Sequence, residues 1–179
     1  RAAAGGPDVK ELIRIREEIE TSIDTAYDVA HGLCPVDLDP DGFMPALENL
    51  CRTVRERRGL DCELHADAGV IAGNPDRALQ LYRIVSEALT NTAKHAECSR
   101  VLVRLIRHSG ELVLTVADDG KGVSGDAGEG MGRRIMAYRA GLIGGSLTIS
   151  GVPGQGTTVT CRIPDRETER KSTRLNSSH

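Results

Sequence analysis

Glu87-Ala-Leu-Thr-Asn91-Thr-Ala-Lys94-His95 places an acid, a neutral amide, an amine and an imidazole at offsets 0, 4, 7 and 8. At roughly 100° per residue the four fall within about 100° of arc on a helix, so they share one face. Leu81, Val85, Ala88, Leu89, Thr92 and Ala96 occupy the neighbouring arc. Such a helix rests on a core by one side and presents a polar row along the edge of that contact. The row suits a nucleotide and its metal. An amphipathic helix with a solvated edge fits it equally, and E-x-x-x-N spacing alone does not separate the two.

Upstream, Asn74-Pro75 reads as the start of this helix, a capping Asn with Pro at the first helical position, and the pattern runs to about Ala96. Cys62-Glu-Leu-His-Ala66 alternates as a strand. A helix is expected from about Phe43 to Arg58, where the basic run Arg55-Glu-Arg-Arg58 favours the helix dipole and needs no nucleic-acid explanation. Further back, Leu12, Ile15, Ile19, Ile23, Ala26, Ala30 and Leu33 are spaced by three or four from Asp8 to about Leu33. This long helix either packs on its own domain or forms half of a helical hairpin that dimerises; its narrow stripe favours the hairpin. Gly32-Leu-Cys-Pro35 stops it, and residues 1–7 read as a linker.

Downstream, Arg100 to Arg107 and Glu111 to Ala117 flank a His-Ser-Gly turn as an antiparallel hairpin. Asp118-Asp-Gly-Lys-Gly122 follows, then a glycine-rich loop from Val123 to Gly132 and a helix from about Arg133 to Ile143. Gly144-Gly145 breaks that helix. Ser146 to Ser150 and Thr157 to Ile163 form a second hairpin around Gly151-Val-Pro-Gly-Gln-Gly156. Strand pairs arranged as hairpins between helices imply a mixed or antiparallel sheet with helices on one face, an α+β fold in the form of a two-layer α/β sandwich. The expected divisions are residues 1–36, linker and helix; 37–165, the main domain; and 166–179, a disordered stretch with no periodicity, read as a non-native tail.

Composition narrows the function. The 179 residues carry a net charge of −3, one Phe, three Tyr and no Trp, which gives neither a basic field nor stacking platforms for nucleic acid. The five cysteines, Cys34, Cys51, Cys62, Cys98 and Cys161, form no C-x-x-C pair and read as reduced, mostly buried thiols. No apolar run approaches the ~18 residues of a membrane span, and no stretch reads as a signal peptide. A cytoplasmic domain is expected. Because residue 1 is Arg, it is expected to be a piece of a longer chain whose upstream segments hold any membrane anchor.

Three motifs can carry chemistry. Asn91 offers Mg²⁺ a hard oxygen without adding charge beside a triphosphate. Lys94 and His95 can meet phosphate, and Glu87, one turn back, can order a metal-bound water or accept a proton. Asp118 at a strand end can accept from an adenine amino group, with Gly120 and Gly122 letting backbone approach the base. Alone, D-x-G-x-G is as often a plain turn, and the register of a calcium loop is absent. Gly128-Glu-Gly130-Met-Gly132 ahead of a helix offers flexible amides to phosphate oxygens; it is not a P-loop.

Taken in order, these elements resemble the Bergerat (GHKL) ATP-binding fold shared by sensor histidine kinases, gyrase-type topoisomerases and mismatch-repair ATPases, over roughly residues 41–164. Glu87 to His95 then matches the N box, Asp118 to Gly122 the G1 box, Gly130 to Gly132 the G2 box, and Gly156-Thr157 the closing element. Gly130-Met-Gly-Arg-Arg-Ile-Met-Ala-Tyr-Arg139 with Ile143-Gly-Gly looks like the nitrate-sensor (NarX-like) class of histidine kinases. The resemblance implies ATP and Mg²⁺ as ligands. It assigns catalysis to Glu87, Asn91 and Lys94, metal binding to Asn91, and nucleotide binding to His95, Asp118, Gly120, Gly122, Gly130, Gly132 and Thr157. It also implies transfer of the γ-phosphate to a histidine on a dimerisation helix, a homodimer through the N-terminal helix, and a response-regulator receiver domain as partner.

One departure bears on the acceptor. In that class the phosphorylated His precedes Asp or Glu on the first hairpin helix, whereas His31 precedes Gly32 at a helix end and reads as a C-terminal capping residue. His65 falls on a strand and His108 at a turn, so the acceptor is expected upstream of residue 1. Two other readings stay open: a GHKL-type, anti-sigma-like serine kinase or ATPase switch, and a nucleotide-binding pseudokinase. The seam helix argues against the first, and the presence of Glu87, Asn91 and Asp118 against the second.

Overall fold

The computed structural model describes Glu11 and residues 42–68, 73–122 and 131–165. Apart from Glu11, the expected helix over residues 8–33, with His31, lies outside the described residues, as do the Gly128–Gly130 part of the glycine loop and the tail from residue 166.

Helix α1, Phe43–Arg58, buries Phe43, Leu47 and Cys51, spaced four apart on one face. Arg55, Arg57 and Arg58 occupy its last turn, and Gly59 at φ 64° ends it, its N–H donating to Arg55 O. Strand β1 is Asp61–Ala66. Helix α2, Pro75–His95, starts as expected: Asn74 caps it by accepting from the Arg77 N–H at 2.8 Å. Strands β2, Arg100–His108, and β3, Glu111–Asp118, meet through Ser109 and Gly110, both at positive φ. That pair makes the left-handed two-residue turn whose twist suits a tight hairpin. Helix α3, Met131–Leu142, starts two residues earlier than the expected Arg133. Strands β4, Ser146–Gly151, and β5, Thr157–Pro164, complete the described elements.

The five strands lie in the order β1-β2-β3-β5-β4. β1 and β2 run parallel, joined by the crossover through α2, and the remaining neighbours are antiparallel. The sheet is therefore mixed and the fold α+β. Alternate residues form rows across it: Val103, Val116 and Val159 make one, Leu105, Leu114 and Cys161 another, all buried. Above them lie Leu81, Ile84, Val85, Ala88 and Leu89 of α2. Each fully buried aliphatic contributes about 1.5–3 kcal/mol relative to exposure.

The pleat decides where β3 delivers its final residue. Leu112, Leu114 and Val116 face the helices, so Asp118, two residues on, leaves the sheet on the same side, beneath α2.

Candidate functional site

Glu87 and Asn91 sit one turn apart on α2, both half-buried. Asn91 Nδ2 donates to Glu87 Oε1 at 3.2 Å. A carboxylate only accepts, so the amide nitrogen must face Glu87 and the amide oxygen the other way. Among the described residues Asn91 Oδ1 has no hydrogen-bond donor. A hard neutral oxygen held in orientation by its own nitrogen fits a Mg²⁺ ligand. Lys94, one turn further, is exposed and makes no ion pair among the described residues. His95 is the last residue of α2.

Asp118 is fastened on three sides. Its Oδ1 accepts from the Gly120 N–H at 3.0 Å and the Thr157 N–H at 3.1 Å. Its Oδ2 accepts from Thr92 Oγ1 at 3.3 Å. Adjacent Asp119 is committed elsewhere: it accepts from the N–H groups of Ser99 and Arg100, each at 2.9 Å, and from Ser99 Oγ at 2.7 Å. These donors, the Arg100 N–H foremost, hold its carboxyl below the usual range. Of the two aspartates, Asp118 is the one turned toward the helix layer.

The glycines admit backbone rather than open space. A Cβ on Gly120 would overlap the Ala96 carbonyl, one on Gly122 the Val152 carbonyl, and one on Gly156 the Asp118 carbonyl. Lys121 N–H donates to Ala96 O at 2.7 Å and Gly154 N–H to Lys121 O at 2.8 Å. The loop after Asp118 is thus clasped between the end of α2 and the β4–β5 turn. Gly132, in the first turn of α3, lies against α2: a Cβ there would overlap Glu87 Oε1 and approach Asn91 Nδ2 to 3.4 Å.

The structure brings together Glu87, Asn91 and Gly132 on one side, and Asp118, Gly120, Gly122 and Thr157 on the other. Gly130 lies outside the described residues. Three residues that sequence reasoning passed over belong to the same neighbourhood. Thr92, counted only as an apolar-face residue, touches Asp118. Arg139 of α3 is held below its ordinary basicity by burial first and by Arg83 second, while Glu87 acts the opposite way. Two guanidinium groups therefore share the α2–α3 seam with Glu87; Arg83, four residues before Glu87, was the signal available in the sequence.

The family model described as Histidine kinase-, DNA gyrase B-, and HSP90-like ATPase matches residues 76–167, just over half of the chain. A sensor histidine kinase of Rhizobium johnstonii, MctS, is 31% identical over 153 residues, covering 83% of this chain and 33% of the relative. Another from Bacillus subtilis, LiaS, is 33% identical over 149 residues, covering 82% of this chain and 41% of the relative. The chain thus spans a third to about two fifths of the length of these curated relatives. Among solved structures, the histidine kinase domain of the blue-light activated histidine kinase of Erythrobacter litoralis superposes with a TM-score of 0.60 at 28% identity, covering 68% of this chain and 64% of that one. The Acinetobacter baumannii histidine kinase AdeS superposes with a TM-score of 0.62 at 13% identity, over 90% of this chain and 87% of that one, a likeness of fold.

Proposed function

The chain belongs to the histidine kinase-, DNA gyrase B- and HSP90-like ATPase family, and from that premise we propose that it is the ATP-binding catalytic part of a sensor histidine kinase. One observation carries the reading. The neighbouring residues Asn91 and Thr92 face two half-sites, Asn91 beside Gly132 of α3 and Thr92 against Asp118 of β3. A single turn of α2 thereby joins a base-recognising carboxylate to a metal-competent amide, as a site for a long, polar, phosphorylated ligand requires.

In this reading Asp118 Oδ2 accepts from the adenine amino group, and the backbone donors on Oδ1 keep the carboxylate from turning away. Asn91 Oδ1 would hold Mg²⁺, which supplies neutralisation of triphosphate charge. Lys94 and His95, at the end of the same helix, are the residues this reading assigns to the phosphates. The γ-phosphoryl group passes to an imidazole nitrogen of a histidine on a dimerisation helix. An N–P bond forms as the bond to the β-phosphate oxygen breaks, and Glu87 takes up the imidazole proton. Positioning and charge neutralisation supply most of such a rate enhancement. The exposed side of α3, Met131, Ile135, Tyr138 and Leu142, begins beside Gly132 and offers an incoming helix an apolar rest.

The whole protein then works as a homodimer through its N-terminal helix, passes phosphate to a response-regulator receiver domain, and operates in the cytoplasm. No helix among the described residues is long and apolar enough to cross a membrane. Labelled ATP, Mg²⁺ and a supplied hairpin bearing the acceptor histidine test the proposal. An acid-labile, base-stable phosphoprotein supports it. An acid-stable product marks a serine kinase instead, and tight ATP binding without transfer to any hairpin marks a non-catalytic nucleotide switch.

A further inference from the structure

Thr92 is 6% exposed, and its hydroxyl meets a side chain 26 residues away rather than its own helix. A helical threonine ordinarily returns its proton to the carbonyl four residues back. Here the partner is Asp118 Oδ2, an acceptor with no hydrogen to give, so the proton of the pair comes from Thr92. That direction fixes what remains. With Oδ1 occupied by the Gly120 and Thr157 N–H groups and the Thr92 proton spent on Oδ2, the two oxygens have only lone pairs left to offer. Thr92 Oγ1 and Asp118 Oδ2 lie 3.3 Å apart, and each keeps lone pairs to offer to one incoming donor group.

We propose that Thr92 is a positioning and base-selecting residue: it holds Asp118 in place and turns that corner into a surface of acceptors alone, matched to a 6-aminopurine and closed to a 6-oxopurine. The proposal rests on the ATP-site reading and deepens it. A 6-amino group brings hydrogens to both oxygens. A 6-oxo group brings a third acceptor to a corner whose one proton is already committed, leaving a buried polar atom unpaired. Sites built to hydrogen-bond a substrate group discriminate strongly against analogues that lack it, for this reason.

The test compares ATP and GTP affinities, by competition against a fluorescent nucleotide, for the full chain and for Thr92→Val, Thr92→Ser, Asp118→Asn and the Thr92→Val/Asp118→Asn pair. Thr92→Val keeps the shape and removes the hydroxyl. It is expected to weaken ATP about five- to tenfold while leaving GTP unchanged, so the ATP:GTP ratio narrows by that factor. Thr92→Ser restores the ratio, and Thr92→Val adds no further change in the Asp118→Asn background. Should the valine variant fail to fold, Thr92→Ala gives the same shift in ratio. Equal weakening of both nucleotides, an unmoved ratio, or no rescue by serine would overturn the role of Thr92 while ATP binding by the unaltered chain stands. An unaltered chain that binds no ATP would overturn the site reading, and this inference with it.

Discussion

Asn91 donates its amide nitrogen to Glu87 Oε1 at 3.2 Å across one turn of α2, and this bond determines which way the amide oxygen faces. Asn91→Asp replaces the donor by a second carboxylate one turn from the first. Like charges at that spacing cost a few tenths of a kcal/mol in the empty helix, so the fold is expected to survive with a slightly lower midpoint. Mg²⁺-dependent nucleotide binding is expected to fall about tenfold or more, because in the proposed site the added charge would face the triphosphate. Calorimetric titration of ATP with and without Mg²⁺ reads this out. Unchanged affinity and Mg²⁺ dependence would remove Asn91 from the metal role.

Gly132→Ala separates stability from function. The Cβ would overlap Glu87 Oε1, the far end of a flexible side chain, so the clash is relieved by moving Glu87 rather than backbone. The melting midpoint is expected to change by no more than about 1 kcal/mol equivalent. The displaced Glu87 then no longer receives Asn91, and phosphotransfer falls while folding is kept. A variant as active as the unaltered chain would show that the Glu87–Asn91 bond is dispensable.

The described elements were legible in the sequence to within two residues because caps and periodicity act locally. Asn74-Pro75 starts α2, Gly59 stops α1, and the alternation in β2 and β3 follows from one buried face. The sheet order and the parallel β1–β2 pair were not legible, since pairing is decided by contacts far apart in the chain. Asp118 could be told from Asp119 by pleat parity alone: it continues the buried series 112, 114, 116. What Gly120, Gly122 and Gly156 admit could not be read, because the carbonyls of Ala96, Val152 and Asp118 reach them only in the folded chain. Thr92 was concealed by its own helical position, on the apolar arc where a threonine reads as core.

Gly110 and Gly120 offer a controlled comparison. Gly110 has φ +79° and open space about its Cβ position, whereas Gly120 has an ordinary φ and would drive a Cβ into the Ala96 carbonyl. Gly110→Ala is expected to cost about 1–2 kcal/mol from the left-handed backbone alone. Gly120→Ala meets backbone that cannot swing aside and is expected to cost about 3 kcal/mol or more, with loss of nucleotide binding as the Asp118 loop shifts. Urea denaturation of both variants measures the difference. Equal costs would mean that the clasp between α2 and this loop is loose.

Cys98 is expected to be the first of the four described cysteines to react with a thiol reagent in the native protein. Cys51, Cys62 and Cys161 are buried, and burial pushes the Cys161 thiol up to about 11. Cys98 is half-buried, and its pKa is raised first by desolvation and then by the charges of Asp118 and Asp119. Its labelling is therefore slower than that of a free thiol near neutral pH and accelerates as pH rises past the ordinary thiol range. Saturating ATP should slow it further by covering Asp118. Mass-spectrometric labelling rates against pH decide the matter, and a rate insensitive to nucleotide would place Asp118 outside the occupied site.

Asp119 gives stability a specific acid limb. Its carboxylate is held below the ordinary value by the Arg100 N–H first, with the Ser99 hydroxyl and N–H adding to it. A folded-state pKa lower than the unfolded one stabilises fully above the unfolded value, about pH 4, and that stabilisation is lost as pH falls through the folded value. Asp119 is exposed, so solvent screening limits the contribution to roughly 1 kcal/mol or less. Asp119→Asn keeps an oxygen acceptor but no charge. It should be less stable than the unaltered chain near about pH 7, and the gap should narrow as pH falls below the ordinary carboxylate value of about 4. Urea midpoints across that range test the sign directly. A gap that stays constant would mean that packing of the loop, rather than the ionised carboxylate, ties the end of β3 to the start of β2.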